Sequence, residues 1–327
     1  MKRPSKKPTV LLTENIHPRY LTLLESHARV VRPERCDEES IAELARAEQI
    51  DAIVIRTKGC VTPKVLRASP NLKVVGRHGI GVDHIDCQAA ARAGIWVVNT
   101  PGASRISASE HTWAMILALA RNIPNGDRAV RGDDFDIRDR VKAFQLHDKK
   151  LGIIGLGRIG GTVAHIGMRG FGMQIFYTDV VDYPAKERRL KARRLPLKKL
   201  LGTCDIITIH TPLDKSTRGM IGARQLGWMQ PHAFLVNCAR GKIVDLAALA
   251  NALKEGTLRG AALDVFDPEV PPADHPILKS EKVVLSPHFA AQTPEANIGY
   301  GAVVEDVLRV LSGKRPLYPV AEPERTM

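Results

Sequence analysis

The sequence predicts an α/β chain built as two doubly wound domains. Three observations carry that reading. Strand-length apolar runs alternate with helical ones over the first hundred residues, the alternation breaks at Pro101-Gly102, and a second round opens on the glycine-rich stretch KKLGIIGLGRIG at 149–160. A chain of 327 residues is long enough for two domains of ordinary size.

In the first round the strand candidates are TVLLTE (9–14), ARVVR (28–32), DAIVIR (51–56), KVVGR (73–77) and IWVVN (95–99). Short helical candidates such as 38–47 lie between them. The start, MKRPSKKPTV, reads as a frayed basic terminus running straight into a strand, without the apolar segment of a secretory signal. After Pro101-Gly102 a long helix is expected from about Ser104 to Arg121, with Ile106, Trp113, Ile116, Leu117 and Ala120 on its apolar face. Residues 123–145 read as polar and irregular. The second round offers strands at 151–155, within GMQIFYTDVV (172–181), and at 205–210, 233–238, 260–265 and 282–286. A final helix over 294–311 has no place in that second sheet and is expected to return to the first domain. The expected domains are 1–103 with 291–327, and 104–290, with ligands in a cleft between them.

Composition is that of a soluble globular protein, 44% apolar and 25% charged, and no apolar run approaches a membrane span of about 18 residues. The five cysteines (Cys36, Cys60, Cys87, Cys204, Cys238) are odd in number and lack CxxC spacing. A disulfide framework or metal site is not expected, and a reducing cytoplasm fits. The net charge of +13 is concentrated in part in KERRLKARRLPLKK (186–199), where eight bases face one acid. Clustered bases are the footprint of a nucleic-acid groove. Here they lack interleaved aromatics and alternate with Leu190, Leu195 and Leu197, so the segment reads as a solvated basic helix and no nucleic-acid partner is expected.

Gly155-x-Gly157-x-x-Gly160 stands between a strand and a helix, the setting of a dinucleotide fingerprint. Gly155 would make the turn, Gly157 would admit a pyrophosphate, and Gly160 would let helix and strand pack closely. Asp179 follows nineteen positions beyond Gly160, at the end of the next strand, where a ribose 2′-hydroxyl is held. Its charge would repel a 2′-phosphate, which favours NAD over NADP. Three further side chains each follow a strand of the second round: Arg240, Glu269 and His288. A histidine can take and return a proton near neutrality, a carboxylate can orient its ring, and an arginine offers a planar fork to a carboxylate. Oxidising an alcohol to a carbonyl needs such a proton acceptor beside a hydride acceptor.

The motifs GRHGIGVDHID, NTPG, GLGRIG, HTPLDKSTRGMI, NCARGKIVD, ALDVFDPE and SPHFA occur in one order along residues 50–300. In these the chain resembles the D-isomer-specific 2-hydroxyacid dehydrogenases, a family that includes 3-phosphoglycerate, hydroxypyruvate, glyoxylate and formate dehydrogenases or reductases. The resemblance implies a flavodoxin-like substrate domain and a Rossmann NAD-binding domain. It implies that Arg240 binds the substrate's carboxylate and carbonyl, that Glu269 supports the histidine, and that His288 is the general acid/base. Arg158 and Ile159 would lie along the pyrophosphate, and Asp264 would contact the nicotinamide carboxamide. His210, Thr211, Pro212, Thr217, Cys238 and Ala239 match cofactor-lining positions, as do Ile80 and Thr112. The backbone of His78, Gly79 and Ile80 would cradle the substrate carboxylate, and Arg56 and Arg77 occupy places where related phosphoglycerate dehydrogenases meet a phosphate. A homodimer through the second domain and the 104–121 helix is also implied.

Two departures stand out: Glu269 precedes Val270 where the family often has proline, and Ala290-Ala291 replaces a pair ending in glycine. Both keep the reacting side chains. Asp264 also reads as a strand-end cap and His210 as a packed strand-end histidine. The best substrate reading is 3-phosphoglycerate, with hydroxypyruvate or glyoxylate reduction as its alternative, in which Arg77 is a filler and Arg56 a surface strand end. The chain ends soon after the returning helix, so no appended regulatory domain is expected. An NAD-responsive, corepressor-like binding scaffold is a reading of a different class, against which the complete Arg240, Glu269 and His288 set argues.

Overall fold

Short runs of Val, Ile and Leu bounded by glycine, proline or charge suit parallel strands buried on both faces. The computed structural model describes residues 7–324. Its strands in chain order are β1 (Thr9–Leu12), β2 (Arg29–Val31), β3 (Ala52–Ile55), β4 (Val74–Arg77), β5 (Trp96–Val98), β6 (Lys150–Ile154) and β7 (Gln174–Thr178). After them come β8 (Arg193–Arg194), β9 (Ile206–Ile209), β10 (Phe234–Asn237), β11 (Gly260–Leu263), β12 (Val283–Leu285) and β13 (Pro319–Ala321). The described chain divides into two compact units, 7–104 with 293–324, and 105–292.

In the first unit the sheet order is β13-β5-β4-β3-β1-β2. All pairs are parallel except β13, which runs antiparallel to β5. The five parallel strands follow the flavodoxin-like order 2-1-3-4-5, with its reversal between β1 and β3. One face is covered by Ile41, Ala45, Val65 and Leu66, the other by Tyr20, Leu24, Val303, Val304 and Val307, all buried. Burying each large aliphatic side chain contributes roughly 1.5–3 kcal/mol. The C-terminal helical segment therefore packs on this unit, as two helices, Pro294–Gly301 and Val303–Leu311. Buried Asp306 then accepts from the amides of Leu317 (2.7 Å) and Tyr318 (2.8 Å), turning the chain back into β13.

The second unit carries an all-parallel sheet in the order β12-β11-β10-β9-β6-β7-β8. This is the doubly wound dinucleotide-binding order, reversing between β6 and β9. Trp113, Ile116, Val163 and Ala164, from helices Arg105–Ala120 and Arg158–Phe171, pack on Leu151, Ile153 and Val236. The opposite face buries Leu200, Leu201, Leu249 and Leu253 against Ile154, Ile207 and Leu235.

Three local expectations are corrected. Residues 123–145 contain the helices Ile123–Arg131 and Ile137–Arg140, with no buried side chain in either, so neither leaves an apolar period to read. An Asp127–Arg131 pair (2.9 Å) one turn apart supports the first of them. Ile106 is 48% exposed and lies off the apolar face of its helix. The basic segment 186–199 is not one helix. Helix Pro184–Leu190 stops at left-handed Lys191 (φ +48°), β8 pairs with β7, and a second helix, Leu197–Leu201, follows Pro196. The expected frayed start at 1–6 lies outside the described residues. Among the described residues no helix is long and apolar enough to cross a membrane.

Candidate active site

The turn after β6 is built around positions that only glycine fits. Gly155 has φ +94°, and a Cβ there would sit 2.9 Å from the His210 carbonyl, because the sheet reversal places the ends of β6 and β9 side by side. A Cβ on Gly160 would lie 2.0 Å from the Gly155 oxygen, whereas one on Gly157 would meet nothing within 4 Å. The helix Arg158–Phe171 starts there, and its first amides have no partner within the helix. Arg158 at its start is exposed and Ile159 half-buried. Asp179, at the end of β7, accepts from the amides of Leu156 (2.7 Å) and Val181 (3.0 Å), so it also anchors the turn that it flanks.

After β9, burial pushes the His210 pKa down to about 3, and its Nε2 lies 3.0 Å from the Thr208 hydroxyl. This imidazole stays neutral. The Thr211 hydroxyl is buried with no partner among the described residues. Thr217 closes the following loop by donating to the Pro212 carbonyl (2.8 Å) and accepting from Asp214 N (2.8 Å). An open glycine cradle, unpaired helix-start amides and an orphaned hydroxyl fit a dinucleotide's diphosphate and ribose.

The adjacent strands β10, β11 and β12 deliver Arg240, then Asp264 with Glu269, then His288. His288 Nδ1 lies 3.0 Å from Glu269 Oε1, which leaves Nε2 for a substrate oxygen. His288 itself has φ +57°, a left-handed conformation costing a non-glycine residue on the order of 1–3 kcal/mol. Asp264 offsets that cost. Its Oδ1 accepts from Phe289 N (2.8 Å) and the Ser286 hydroxyl, its Oδ2 accepts from Ala290 N (3.0 Å), and its carbonyl accepts from His288 N (2.8 Å). His111 Nε2 lies 3.2 Å from Oδ1 and 3.0 Å from the Ser286 oxygen. Burial drives the Asp264 pKa up, but hydrogen bonds from His111, Ser286, Phe289 and Ala290 outweigh it and hold the group below its ordinary value. Asp264 is 0% exposed, and both its oxygens are engaged by protein donors.

Burial, with the Asp264 charge second, pushes the Cys238 thiol up to about 12, so no thiolate is available there. Thr112, fully buried, donates to the Ala108 carbonyl (2.7 Å). The bend at Arg240 is shaped by Asn237, whose Oδ1 accepts from Ala239 N (3.0 Å) and whose Nδ2 donates to the Arg240 carbonyl (3.0 Å). Arg240 Nη1 donates to the Ala239 carbonyl (2.7 Å). Asn237, His111 and Ser286 were not singled out by the sequence. Asn237 and Ser286 open the motifs NCARG and SPHFA, which was the available signal for them, whereas His111 lies in neither.

In the first unit, the loop after β4 hands over its carbonyls. Arg77 donates to the oxygens of Gly81 and His78 (2.7 Å each), Thr100 to Gly79, and Asn99 to Ile80. The amides of Ile80 and Gly81 have no partner among the described residues. His78 is 1% exposed, with neither ring nitrogen bonded to another residue. Burial, followed by the Arg56 charge, lowers its pKa to about 4. After β1, Glu14 accepts from Thr57 N and Oγ1 and from Lys58 N, fixing the half-exposed stretch that Arg56 begins. Glu14 too carried no sequence signal.

Residues 113–290 match the NAD binding domain of the D-isomer specific 2-hydroxyacid dehydrogenases. The chain is 40% identical over 307 residues to a D-3-phosphoglycerate dehydrogenase of Methanocaldococcus jannaschii, covering 93% of this chain and 58% of that one. It is 36% identical over 315 residues to a glyoxylate reductase of Korarchaeum cryptofilum, covering 95% of both chains. The chain thus spans little more than half the length of the phosphoglycerate dehydrogenases that it matches. Among solved structures, the holo D-mandelate dehydrogenase of Rhodotorula graminis superposes with a TM-score of 0.90 at 25% identity, covering 98% of this chain and 99% of that one. The PH0520 protein of Pyrococcus horikoshii superposes at 0.84 with 31% identity, covering 96% and 95%. With the strand orders and motifs already described, these matches show that the chain belongs to the D-isomer specific 2-hydroxyacid dehydrogenase family and carries its NAD binding domain.

Proposed function

We propose that the protein is an NAD-dependent dehydrogenase that interconverts a small D-2-hydroxy acid and its 2-keto acid, with 3-phosphoglycerate as the preferred hydroxy acid. The observation that carries the reading is the His288–Glu269 pair (3.0 Å), displayed on a left-handed loop that Asp264 holds from below the surface. The bound nicotinamide supplies or takes up the hydride. His288 Nε2 gives or takes the proton at the substrate's C2 oxygen, a contribution of roughly 10²–10⁴ in rate. Glu269 holds the ring so that Nε2 faces outward, and supports the charge that forms on it. Arg240 grips the carboxylate and polarises the carbonyl, while the unpaired amides of Ile80 and Gly81 suit an anionic oxygen. Gly155, Gly157, Gly160, Arg158, Ile159 and Asp179 hold the dinucleotide, and Thr211 offers its orphaned hydroxyl.

Support for the phosphorylated substrate comes from Arg56 and from the names of the relatives at 40% identity. A second reading, reduction of glyoxylate or hydroxypyruvate, is favoured by one specific contact. Arg77 spends its guanidinium on the carbonyls of His78 and Gly81, leaving Arg56 as the arginine to meet a phosphate. A homodimer and a cytoplasmic location complete the proposal. The first is supported by the exposed Ile123, Val130 and Phe135, the second by the cysteine pattern.

NADH consumption with phosphohydroxypyruvate, hydroxypyruvate, glyoxylate and pyruvate, compared by kcat/KM, tests this. Phosphohydroxypyruvate should lead, and Arg56→Ala should remove that lead alone. If the smaller acids lead, the reductase reading replaces it. NADH binding without turnover on any keto acid would mark a binding scaffold instead.

A further inference from the structure

The basic segment 186–199 takes no part in the chemistry above, yet its first residue is not a solvated surface lysine. Lys186 lies in the helix Pro184–Leu190, and its Nζ donates to the carbonyls of Leu156 (2.7 Å) and Gly157 (2.9 Å), about thirty positions back in the chain. The ammonium also lies 4.0 Å from the centre of the Tyr183 ring, a favourable cation–π contact. Leu156 and Gly157 are the residues between the turn glycine, Gly155, and the start of the helix Arg158–Phe171. Their peptide groups are therefore held by two partners. Asp179 accepts from the Leu156 amide, and Lys186 donates to the carbonyls. The Gly157 oxygen additionally accepts the first helical bond, from Gly161 N (3.2 Å), so its lone pairs are both in use.

This arrangement has an electrostatic signature. A helix start already carries partial positive charge, and a cation placed there is unfavourable unless an anion joins it. Burial lowers the Lys186 pKa; among the charges around it Asp179 opposes that most, while Arg189 and Arg158 add to it. The amide side of the turn remains open, since a Cβ on Gly157 would meet nothing within 4 Å.

We propose that Lys186 is a cofactor-positioning residue: by clamping the carbonyls of Leu156 and Gly157 it fixes the glycine turn with its amides presented to a pyrophosphate, and its charge strengthens the field there. The proposal rests on reading 155–160 as the pyrophosphate turn. It differs from a role as ligand to a 2′-phosphate beside Asp179, which would act on one cofactor only.

The test uses the whole protein and reads binding, not turnover. NADH affinity is measured by fluorescence titration, ADP-ribose and adenosine by displacement of NADH, and NADPH in parallel, for wild type, Lys186→Met and Lys186→Arg. Lys186→Met should weaken NADH, NADPH and ADP-ribose by the same factor, about five- to tenfold, as expected for loss of one charge-assisted clamp. Adenosine affinity should be unchanged, the salt dependence of NADH binding should flatten, and Lys186→Arg should recover most of the loss. Equal weakening of adenosine would mean general damage to the fold and would overturn the proposal. A loss confined to NADPH would make Lys186 a 2′-phosphate ligand, and unchanged ADP-ribose binding would make it a surface contact. If wild type itself fails to bind ADP-ribose, the reading of the turn falls, and Lys186 with it.

Discussion

Two strand-end loops, 286–290 and 78–81, solve the same problem with opposite charges. Each must hold irregular backbone at the edge of a buried sheet, where unpaired peptide groups are costly. In 286–290 the organiser is an anion. Asp264 accepts from the amides of Phe289 and Ala290, consuming the backbone donors and leaving a side chain, His288, as the outward-facing group. In 78–81 the organiser is a cation. Arg77 takes the carbonyls of His78 and Gly81, Thr100 and Asn99 take the two between, and what remains is backbone N–H at Ile80 and Gly81. The sign of the organising charge thus decides what a loop can offer: a proton-handling ring in one case, an anion-binding pair of amides in the other.

The comparison breaks most visibly at Asp264. Asp264→Asn turns an acceptor of several donors into a group that must also donate, so the side-chain anchor of Phe289 and Ala290 that helps hold His288 at φ +57° is lost in part. We expect kcat to fall by roughly 10²–10⁴, the value of a correctly placed general acid, with NADH affinity changed less than twofold. Stopped-flow turnover and NADH titration separate the two quantities. A parallel collapse of NADH binding would instead assign Asp264 to the nicotinamide, as the family resemblance implies.

The difference between the loops also explains what the sequence disclosed. The parallel strands other than β8 were legible because each is a short apolar run, and Arg240, Glu269 and His288 because each follows one closely. Gly155, Gly157, Gly160 and Asp179 needed only local spacing. The supporting residues His111 and Glu14 were not legible, since their partners lie far off and no periodicity joins them: His111 meets Ser286 across 175 positions, and Glu14 meets Thr57 across 43. Arg77 was visible as a strand-end arginine, but its commitment to loop carbonyls was not. Strands β8 and β13 are two and three residues long, too short for any alternation to show. The helices at 123–140 bury nothing, so their composition resembles a loop.

At the cationic loop the effect should be smaller and should fall on binding. Arg77→Met frees the His78 and Gly81 carbonyls and lets the Ile80 and Gly81 amides drift. Misplacement of this kind costs up to about a hundredfold, and we expect KM to rise roughly tenfold for every keto acid, phosphorylated or not, with kcat less affected. Steady-state kinetics on glyoxylate and phosphohydroxypyruvate decide the point. A KM increase restricted to the phosphorylated acid would make Arg77 a phosphate ligand, and the parallel between the two loops would fail.

The smallest effect concerns stability and sharpens the price of the cationic design. Burial, helped by the Arg56 charge and less by Arg77, keeps the His78 ring neutral, with its pKa lowered from 6.5 to about 4. In the unfolded chain the ring takes a proton below about pH 6.5, whereas in the folded protein it does not until about pH 4. The unfolded state binds more protons across that window, so stability is fully present above pH 6.5 and is lost as the pH falls toward 4. At pH 5 the loss from this one group is about 2 kcal/mol. His78→Leu removes the titration and the unpaired ring nitrogens while nearly filling the same space. Denaturant unfolding at pH 7 and pH 5 should therefore show wild type losing about 2 kcal/mol more than the variant between the two conditions. Equal losses would mean that the ring finds a partner on protonation, and that Arg77 and Arg56 shape the loop without setting the charge of its histidine.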